Sequence, residues 1–226
     1  MVNDLIADLS AFSEIRLEVI LTHNIPEPGA GVKADLPFPV QVIENTRPKG
    51  FGANHNAAFR HARGEFFCVL NPDIRLSSNP FPALLKELAM PRAGVVSPKI
   101  LDPAGGTEDS ARRFPTPWFI ARKLLGRTSK LDYPIGNSPL TPDWVAGMFM
   151  LFHKTVYAEV AGFDERYFLY YEDVDLCRRL RQHGYEIRLH PGASAVHDAR
   201  RESRRSLRHL RWHMASMLRY FAGSVR

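Results

Sequence analysis

The stretch FFCVLNPD, residues 66–73, decides the fold class of this chain. Its first five residues are apolar without interruption, which is typical of a strand buried on both faces of a sheet. The run stops at Asn71-Pro72-Asp73, because a proline cannot donate a hydrogen bond to a neighbouring strand. The side chains of Asn71 and Asp73 are therefore predicted to lie just beyond the carboxyl end of a buried strand.

Strands and helices alternate on both sides of this stretch. The patterns predict strands at residues 17–21, 40–43, 94–100, 144–152 and 186–189, and helices at residues 5–12, 54–63, 82–88, 154–160 and 172–183. Such alternation indicates an α/β fold, in which a mostly parallel sheet is covered by helices on both faces. Ligands of these folds bind beyond the carboxyl ends of the strands, where Asn71 and Asp73 are expected.

Length and composition predict one large core. With 226 residues, 45% of them apolar, we expect one domain over residues 1–198 and a separate helix over 199–226. Residues 102–143 are rich in proline, glycine and basic side chains, so they are predicted to form a flexible loop with a helical turn or two at 119–125. The two cysteines follow no spaced framework and are interpreted as reduced cytosolic thiols.

The net charge of +6 favours an anionic partner, which could be a nucleotide, a nucleic acid, a phospholipid or a lipid diphosphate. The N-terminus has no basic region ahead of an apolar stretch, so no secretory signal is expected. The longest apolar run, residues 144–152, is far shorter than the roughly 20 residues needed to cross a bilayer. We therefore expect a cytoplasmic protein that is soluble or peripheral on the inner face of the membrane.

An acidic cluster follows two tyrosines near residue 172. Glu172, Asp173 and Asp175 are three carboxylates within four positions, and like charges so close raise the pKa of at least one of them, as a general base requires. The alternative is an acidic helix start that complements the helix dipole, with Asp175 paired to Arg179 one turn later. That alternative explains Asp175 better than it explains Glu172 and Asp173.

Two further positions suggest a metal site. Asp73 could hold a hard cation against a diphosphate, and His197, shortly after the last predicted strand, could complete that site as a neutral imidazole. Each has a simple structural alternative. An aspartate after a strand is most often a turn residue, and a single histidine among nine is more often merely hydrogen-bonded.

The segment NTRPKGFGANHN, residues 45–56, is a candidate nucleotide contact. Its glycines let the backbone approach a ligand closely, and its asparagines can donate to and accept from a base or ribose. The chain contains neither a Walker sequence nor GxGxxG, so it lacks the motifs typical of P-loop ATPases and dinucleotide-binding enzymes.

Taken together, these segments resemble glycosyltransferase family 2, and especially its bacterial rhamnosyltransferase-like members. The resemblance covers nearly all of residues 17–197 and rests on the segment 45–56, LNPD (70–73), WVAGM (144–148), GFDE (162–165), FLYYEDVDLCRR (168–179) and the segment 184–197 that ends in histidine.

The resemblance implies a GT-A fold and an inverting, metal-assisted glycosyltransferase that uses a nucleoside-diphosphate sugar. It implies that Asp173 is the general base, with Glu172 as its acidic neighbour, and that Asp73 and His197 bind Mg²⁺ or Mn²⁺. The implied donor-binding residues are Asn45, Gly50, Asn56, Asn71, Asp73 and Arg179, and the implied acceptor-binding residues are Trp144 and Gly147.

The implied reaction belongs to cell-surface polysaccharide synthesis. The LNPD variant suggests dTDP-rhamnose as the donor, and the acceptor is expected to be a glycan or a lipid-linked sugar. Two alternatives stay open: a nucleotide-sugar-binding remnant without catalysis, and a basic nucleic-acid-binding protein. The second lacks any matching motif, so no nucleic acid is expected.

The N-terminus departs from the family pattern. Relatives begin with a strand of the type VSVVIVTHN, whereas this sequence starts with the helix that follows that strand. The resemblance therefore implies either that translation begins upstream of Met1, which we favour, or that a central sheet position is unfilled. An unfilled position would leave backbone donors and acceptors in need of partners.

The C-terminal segment, residues 198–226, contains eight arginines and two acids. Its apolar residues keep helical spacing, namely Leu207, Leu210, Met214, Met217, Leu218 and Phe221. This pattern predicts a basic amphipathic helix. Such a helix could lie on an anionic membrane surface, or it could pack its apolar face on the core with its arginines in water.

Overall fold

A computed structural model describes residues 1–12, 14–25, 35–125, 131–198 and 207–223. Within these ranges there are seven helices: α1 (Val2–Ser10), α2 (Phe51–His61), α3 (Phe81–Leu88), α4 (Pro117–Leu124), α5 (Lys154–Glu159), α6 (Glu172–Gln182) and α7 (Leu207–Gly223). The same ranges contain nine strands: β1 (Val19–His23), β2 (Val40–Glu44), β3 (Phe66–Leu70), β4 (Ile74–Arg75), β5 (Ala93–Leu101), β6 (Ala111–Arg112), β7 (Trp144–Val145), β8 (Phe149–His153) and β9 (Glu186–His197).

The main sheet has five strands in the order β3-β8-β5-β9-β4. β5 and β9 run parallel, while β8 lies antiparallel between β3 and β5, and β4 lies antiparallel to β9. The predicted α/β class is confirmed, and the sheet is mixed. The β4–β9 register pairs Ile74 with His197, and this brings the end of the last strand beside the LNPD stretch.

The strand predicted at 144–152 is interrupted at residues 146–148. Its first two residues form β7, which pairs with β6 outside the main sheet, and its last part belongs to β8. Apolar continuity could not reveal this break, because residues 144–152 are apolar or glycine throughout. At the break, Gly147 turns its backbone N–H away from the sheet toward Asp173.

The last strand is much longer than the predicted 186–189. β9 continues through Pro191 and Gly192 to His197, and its pairing with β5 absorbs a register shift between Pro98 and Lys99. Proline and glycine usually end a strand in a sequence-based prediction, so the extension was missed. This extension carries His197 into the sheet edge.

A gap divides the sheet. β1 and β2 form a separate parallel pair, and within the described ranges no ladder joins β1 to β3. A cavity of about 1610 Å³ lies between β1 and β3 and is also lined by residues of α1 and α2. Among the described residues, this cavity lies where the resemblance would place a strand between β1 and β3.

The core packs on both faces of the main sheet. One cluster joins β8 to α5 and α6 around Tyr157, Phe152 and Leu180, and the other joins it to α1 and α3. Both cysteines are unpaired, as predicted. None of the helices within the described ranges is long and apolar enough to span a membrane.

Candidate active site

The first turn of α6 presents the acidic cluster. Asp173 is held by two backbone donors, because its Oδ2 accepts from the Gly147 N–H at 3.0 Å and its Oδ1 accepts from the Val174 N–H at 2.8 Å. Glu172 is buried, and its Oε2 has no hydrogen-bond partner in the described part of the chain. The two neighbouring carboxyls therefore have different surroundings.

Burial shifts the pKa of both carboxyls upward. Burial and the charge of Asp173 raise the pKa of Glu172 to about 8. Burial also raises the pKa of Asp173, although the Gly147 and Val174 N–H groups and the charge of Arg112 act in the opposite direction. A carboxyl with a raised pKa in a half-buried site is suited to accept a proton near neutral pH.

Asp175 belongs to the framework. It is buried and forms ion pairs of 2.8 Å with both Arg178 and Arg179, so the helix-start alternative accounts for this residue. The Arg179 guanidinium also donates to the Gly162 carbonyl at 2.7 Å and to the Val160 carbonyl. Arg179 thus anchors α6 to the turn after α5, and a contact with the donor would require it to give up these partners.

A different arginine acts on the Asp173 carboxyl. Arg112 on β6 is close enough to Asp173 for its charge to lower the pKa of that carboxyl. Its guanidinium lies 5.3 Å from the centroid of the Trp144 ring and donates to the Asp109 carbonyl at 2.6 Å. Sequence reasoning missed Arg112 because residues 102–143 have weak periodicity, although the pair Arg112-Arg113 was a visible concentration of charge.

A second group of polar side chains lies where β4 meets β9, and it is called the Asp73 corner below. His197 Nε2 lies 3.3 Å from Asp73 Oδ2, and His197 Nδ1 lies 3.0 Å from Glu108 Oε2. The hydrogen bond to Asp73, together with Glu108, raises the pKa of His197 to about 9. Glu108 is another residue that the sequence did not single out, since it also lies in the irregular segment.

The segment Gly147-Met148 connects the first turn of α6 to the region around Asp73. The Gly147 N–H donates to Asp173, and the next residue, Met148, accepts a hydrogen bond of 3.0 Å from the Asn71 N–H through its carbonyl. The break between β7 and β8 therefore links the LNPD stretch to the first turn of α6. The backbone at Gly147 and Met148 thus contacts both the Asp173 carboxyl and the stretch that leads to Asp73.

Residues 22–153 match the family described as Glycosyl transferase family 2. This chain belongs to glycosyltransferase family 2. The predicted class of enzyme, a glycosyltransferase, is thereby confirmed.

Two curated relatives extend over most of this family member. Rhamnosyltransferase WbbL of Escherichia coli (strain K12) is 34% identical over 185 residues, which are 76% of this chain and 70% of that protein. The N-acetylglucosaminyl-diphospho-decaprenol L-rhamnosyltransferase of Mycobacterium tuberculosis (strain CDC 1551 / Oshkosh) is 29% identical over 222 residues, which are 85% of this chain and 70% of that protein.

Solved glycosyltransferases share the fold. Mannosyltransferase PcManGT from Pyrobaculum calidifontis, in complex with GDP-Man and Mn²⁺, superposes with a TM-score of 0.60 at 18% identity, over 96% of this chain and 60% of that chain. GalNAc-T7 with UDP, GalNAc and Mn²⁺ gives a TM-score of 0.55 at 17% identity, over 72% of this chain and 33% of that chain. The predicted GT-A fold is confirmed, and at this identity the likeness extends to the fold alone.

The corner at Asp73 fits a divalent cation in its donor chemistry. Asp73 Oδ1 is buried without a hydrogen-bond partner among the described residues. The raised pKa of His197 favours the charged imidazolium rather than the neutral ring expected from the sequence, so His197 would have to release the proton on Nε2 to bind a cation. The Glu108 carboxylate beside Nδ1 would orient the ring. No group of three or more His, Cys, Asp or Glu side chains in the described ranges is arranged to hold a metal ion. The protein would therefore supply two ligands, and oxygen atoms of a bound diphosphate or water would supply the others.

The predicted donor-binding asparagines stabilise the loops around the site. The Asn45 side-chain amide donates to Asn24 Oδ1 at 3.0 Å and to Asn54 Oδ1 at 2.8 Å. Asn56 accepts from the Tyr157 hydroxyl and from the Phe163 N–H, and it donates to the Phe163 carbonyl. The amide of Asn56 is thus occupied by protein partners.

The remaining predicted residues also have definite places. Gly50 begins α2 against the backbone of Phe168, with a Cβ there falling only 2.7 Å from the Phe168 carbonyl oxygen. Trp144 is buried, and its indole N–H donates to the Arg113 carbonyl at 2.9 Å. Gly147 contacts Asp173 directly, so among these residues it lies nearest to the predicted base.

Proposed function

We propose that this glycosyltransferase moves rhamnose from dTDP-rhamnose to a hydroxyl of a lipid-linked sugar, with inversion at the anomeric carbon. The observation that carries the proposal is Asp173, a half-buried carboxyl with a raised pKa, fixed by the Gly147 N–H and linked through Met148 to the Asp73 corner. The names of both curated relatives support a rhamnosyl donor. The mycobacterial name supports an acceptor carried on a polyprenyl diphosphate.

In this proposal Asp173 accepts the proton of the acceptor hydroxyl while that oxygen attacks the anomeric carbon from the face opposite the leaving group. The bond between the anomeric carbon and the diphosphate breaks, and the nucleoside diphosphate departs with the electron pair. Glu172 stays protonated beside the base, and Arg112 acts on Asp173 as a fixed positive charge. Asp73 and His197 would hold Mg²⁺ or Mn²⁺, which would neutralise the charge that develops on the diphosphate.

Substitution of the base tests this proposal. We expect Asp173→Asn to lower kcat by roughly 10²- to 10⁴-fold, the usual contribution of a general base, while the calorimetric Kd for dTDP-rhamnose with Mn²⁺ stays within about two-fold. Asp4→Asn, which alters an exposed carboxylate in the first turn of another helix, is the matched control. Retained turnover in Asp173→Asn would overturn the assignment.

The unsubstituted protein distinguishes an enzyme from a binding remnant. The cavity between β1 and β3 reaches Asn71 and Asp73, and this is the observation that favours a protein with impaired catalysis. Donor binding by calorimetry without any sugar transfer would support the remnant. Metal-dependent transfer would exclude it.

A peripheral membrane contact through α7 forms the second part of the proposal. The aliphatic residues of α7 project outward, with Leu207, Leu210, Met214 and Leu218 exposed by 79, 57, 44 and 64%. Ser216 and Tyr220 on the opposite face are buried against the domain. The helix therefore packs on the core, but it does so with a different face from the aliphatic one that the sequence pattern emphasises.

The outer face of α7 suits an anionic bilayer. Arg208, Arg211 and Arg219 accompany the aliphatic stripe, and residues 207–223 contain no acidic side chain. Amphipathic helices of this type bind membranes by burying apolar residues while basic side chains meet lipid headgroups. A polyprenyl-linked acceptor would be presented at such a surface.

Vesicle binding tests the membrane contact. We expect the protein to co-sediment with vesicles that contain anionic phospholipid, and we expect Leu210→Ser/Leu218→Ser to abolish most of this binding, because two exposed leucines are lost. Met90→Ser, which removes another exposed apolar side chain, is the control and should bind normally. Equal binding of the α7 variant and the control would remove the membrane contact from the proposal.

A further inference from the structure

Two consecutive tyrosines immediately before the acidic cluster have left-handed backbones. Tyr170 has φ 72° and Tyr171 has φ 67°, whereas non-glycine residues rarely take positive φ values. Such conformations persist only where the surroundings determine them, and they concentrate at functional sites. The turn that leads into Glu172 and Asp173 therefore depends on what packs against it.

The inner face of α7 packs against this turn. Ser216 Oγ donates a hydrogen bond of 2.9 Å to the Leu169 carbonyl, and the Tyr170 hydroxyl lies 2.9 Å from His209 Nδ1. Ser216 is buried and His209 is half-buried. α7 thus contacts the Leu169 carbonyl and the Tyr170 hydroxyl, both at the start of the turn.

Ring contacts cover the rest of the turn. Phe168 lies 4.6 Å from Trp212 between ring centroids, and Tyr171 lies 5.5 Å from Tyr220. His213 lies 5.3 Å from Tyr170 and 5.4 Å from Tyr171. Every residue from 168 to 171 therefore has a partner on α7.

The turn is connected to the catalytic helix and to the donor side. The Asp175 N–H donates to the Tyr171 carbonyl at 2.9 Å, which closes the first turn of α6 around Glu172 and Asp173. The Phe168 carbonyl accepts a hydrogen bond of 2.9 Å from the Phe51 N–H at the start of α2. A displacement of the turn would move the first turn of α6 and its carboxyls with it.

We propose that α7 is a positioning element for catalysis, and that Ser216 and His209 hold the left-handed turn so that Asp173 stays aligned with the acceptor hydroxyl. This inference rests on the proposed role of Asp173. Ser216 and His209 contact the turn rather than the carboxyls, so they act as positioning residues. This positioning role gives α7 a function in the reaction that does not depend on membrane binding.

Kinetics of Ser216→Ala and His209→Ala with a soluble acceptor analogue test the proposal. We expect each variant to lower kcat by roughly three- to ten-fold, as the loss of one hydrogen bond allows, and the donor Kd to stay unchanged. His209→Asn should restore most of kcat, because an amide can occupy the place of Nδ1. Ala215→Ser, on an exposed position of the same helix, should behave like the unsubstituted protein.

The pH profile separates positioning from a loss of stability. Among the described residues, the titratable and charged groups that interact electrostatically with Asp173 include Arg112 on β6, Tyr171, Glu172 and Cys177. A loosened turn admits water to the carboxyl pair and weakens the burial that raises its pKa, so the acid limb of the kcat/KM profile should move to lower pH in Ser216→Ala and His209→Ala. A merely structural defect would lower the amount of active protein without moving this limb.

Unchanged kcat and an unchanged acid limb in both variants would overturn the inference. If Ser216→Ala fails to fold, His209→Ala and Tyr170→Phe decide the question at half-buried positions. Asp173→Asn tells the two proposals apart. Turnover retained in Asp173→Asn would contradict the proposed function, whereas an inactive Asp173→Asn beside fully active α7 variants would contradict only the positioning role.

Discussion

Glu172 and Asp173 are neighbours in sequence, but their carboxyl groups accept different hydrogen bonds from the backbone. Asp173 receives hydrogen bonds from two N–H groups, while one oxygen of Glu172 is buried without a partner among the described residues. Donors stabilise an ionised carboxylate, and burial without donors stabilises the protonated acid. At the scale of single residues, Asp173 is therefore the member of the pair that ionises first, and Glu172 is the one that keeps its proton.

The raised pKa of Glu172 has a consequence for stability. The folded protein holds this proton up to a pH of about 8, whereas an unfolded chain releases it near its ordinary pKa of about 4.3. The folded state binds more protons between these values, so the free energy of unfolding should fall by up to about 1.4 kcal/mol per pH unit as the pH rises through this range. Glu172→Gln cannot ionise and should lack this decline.

Urea unfolding at pH 5, 6, 7 and 8 measures the difference between Glu172→Gln and the unsubstituted protein. The free energy of unfolding of Glu172→Gln, relative to that of the unsubstituted protein, should increase as the pH rises. Glu14→Gln, at an exposed carboxyl, should retain the pH dependence of the unsubstituted protein. A difference that stays constant from pH 5 to pH 8 would contradict the proposed protonation of Glu172.

At the scale of elements, the ends and breaks of strands carry the site. Asp73 follows β3, His197 ends β9, and Gly147 lies in the break between β7 and β8. The helix α2 begins at Gly50 against the turn that α7 supports, and Phe51 donates to Phe168 there. The start of α2 is therefore packed directly on the backbone of the turn that leads into α6.

Gly50→Ala tests this close packing. A Cβ at Gly50 would lie 2.7 Å from the Phe168 carbonyl oxygen and 2.8 Å from its Cα, and backbone atoms cannot rotate away as a side chain can. We expect the free energy of unfolding to fall by about 1–3 kcal/mol and kcat to fall with it. Gly136→Ala, with no atom within 4 Å of the added Cβ, is the matched control. Equal stability of the two variants in chemical denaturation would show that the contact is looser than this packing requires.

At the scale of the whole molecule, the gap between β1 and β3 separates two regions of unequal burial. The residues of β1 are all half-buried and those of β2 are half-buried or exposed, whereas four of the five residues of β8 are buried. Local stability follows the number of buried contacts that an element makes. The β1–β2 pair should therefore open more readily than the main sheet.

Hydrogen exchange measures this difference. We expect the amides of 19–23 and 40–44 to exchange at least about ten-fold faster than those of 149–153, because within the described ranges one ladder holds the pair together beside a cavity. Ligand-free protein in the native state is the sample, and α3 on the main sheet provides an internal reference. Equal protection of β1, β2 and β8 would mean that the gap does not weaken this side of the molecule.

The sequence by itself determined the local elements and the family. β3 was predicted with its observed bounds, and β2, α3 and β5 were predicted within a residue or two, because apolar period and turn residues act over short distances. The order of the motifs, LNPD first and the acidic cluster later, was enough for the enzyme class. These properties depend on neighbours along the chain, which one sequence contains in full.

Tertiary structure alone decided which side chains meet and which remain free to act. The β4–β9 register places His197 beside Asp73, and the break at Gly147 supplies a donor to Asp173. The charge of Arg112 acts on Asp173, whereas Arg179, which was predicted to bind the donor, is paired with Asp175. Arg179 and Asn56 were suitable residue types, but framework atoms already occupy their hydrogen-bonding groups. The physical reason is that a polar group has a limited number of hydrogen bonds to make, and strand register and helix packing between distant segments determine its partners.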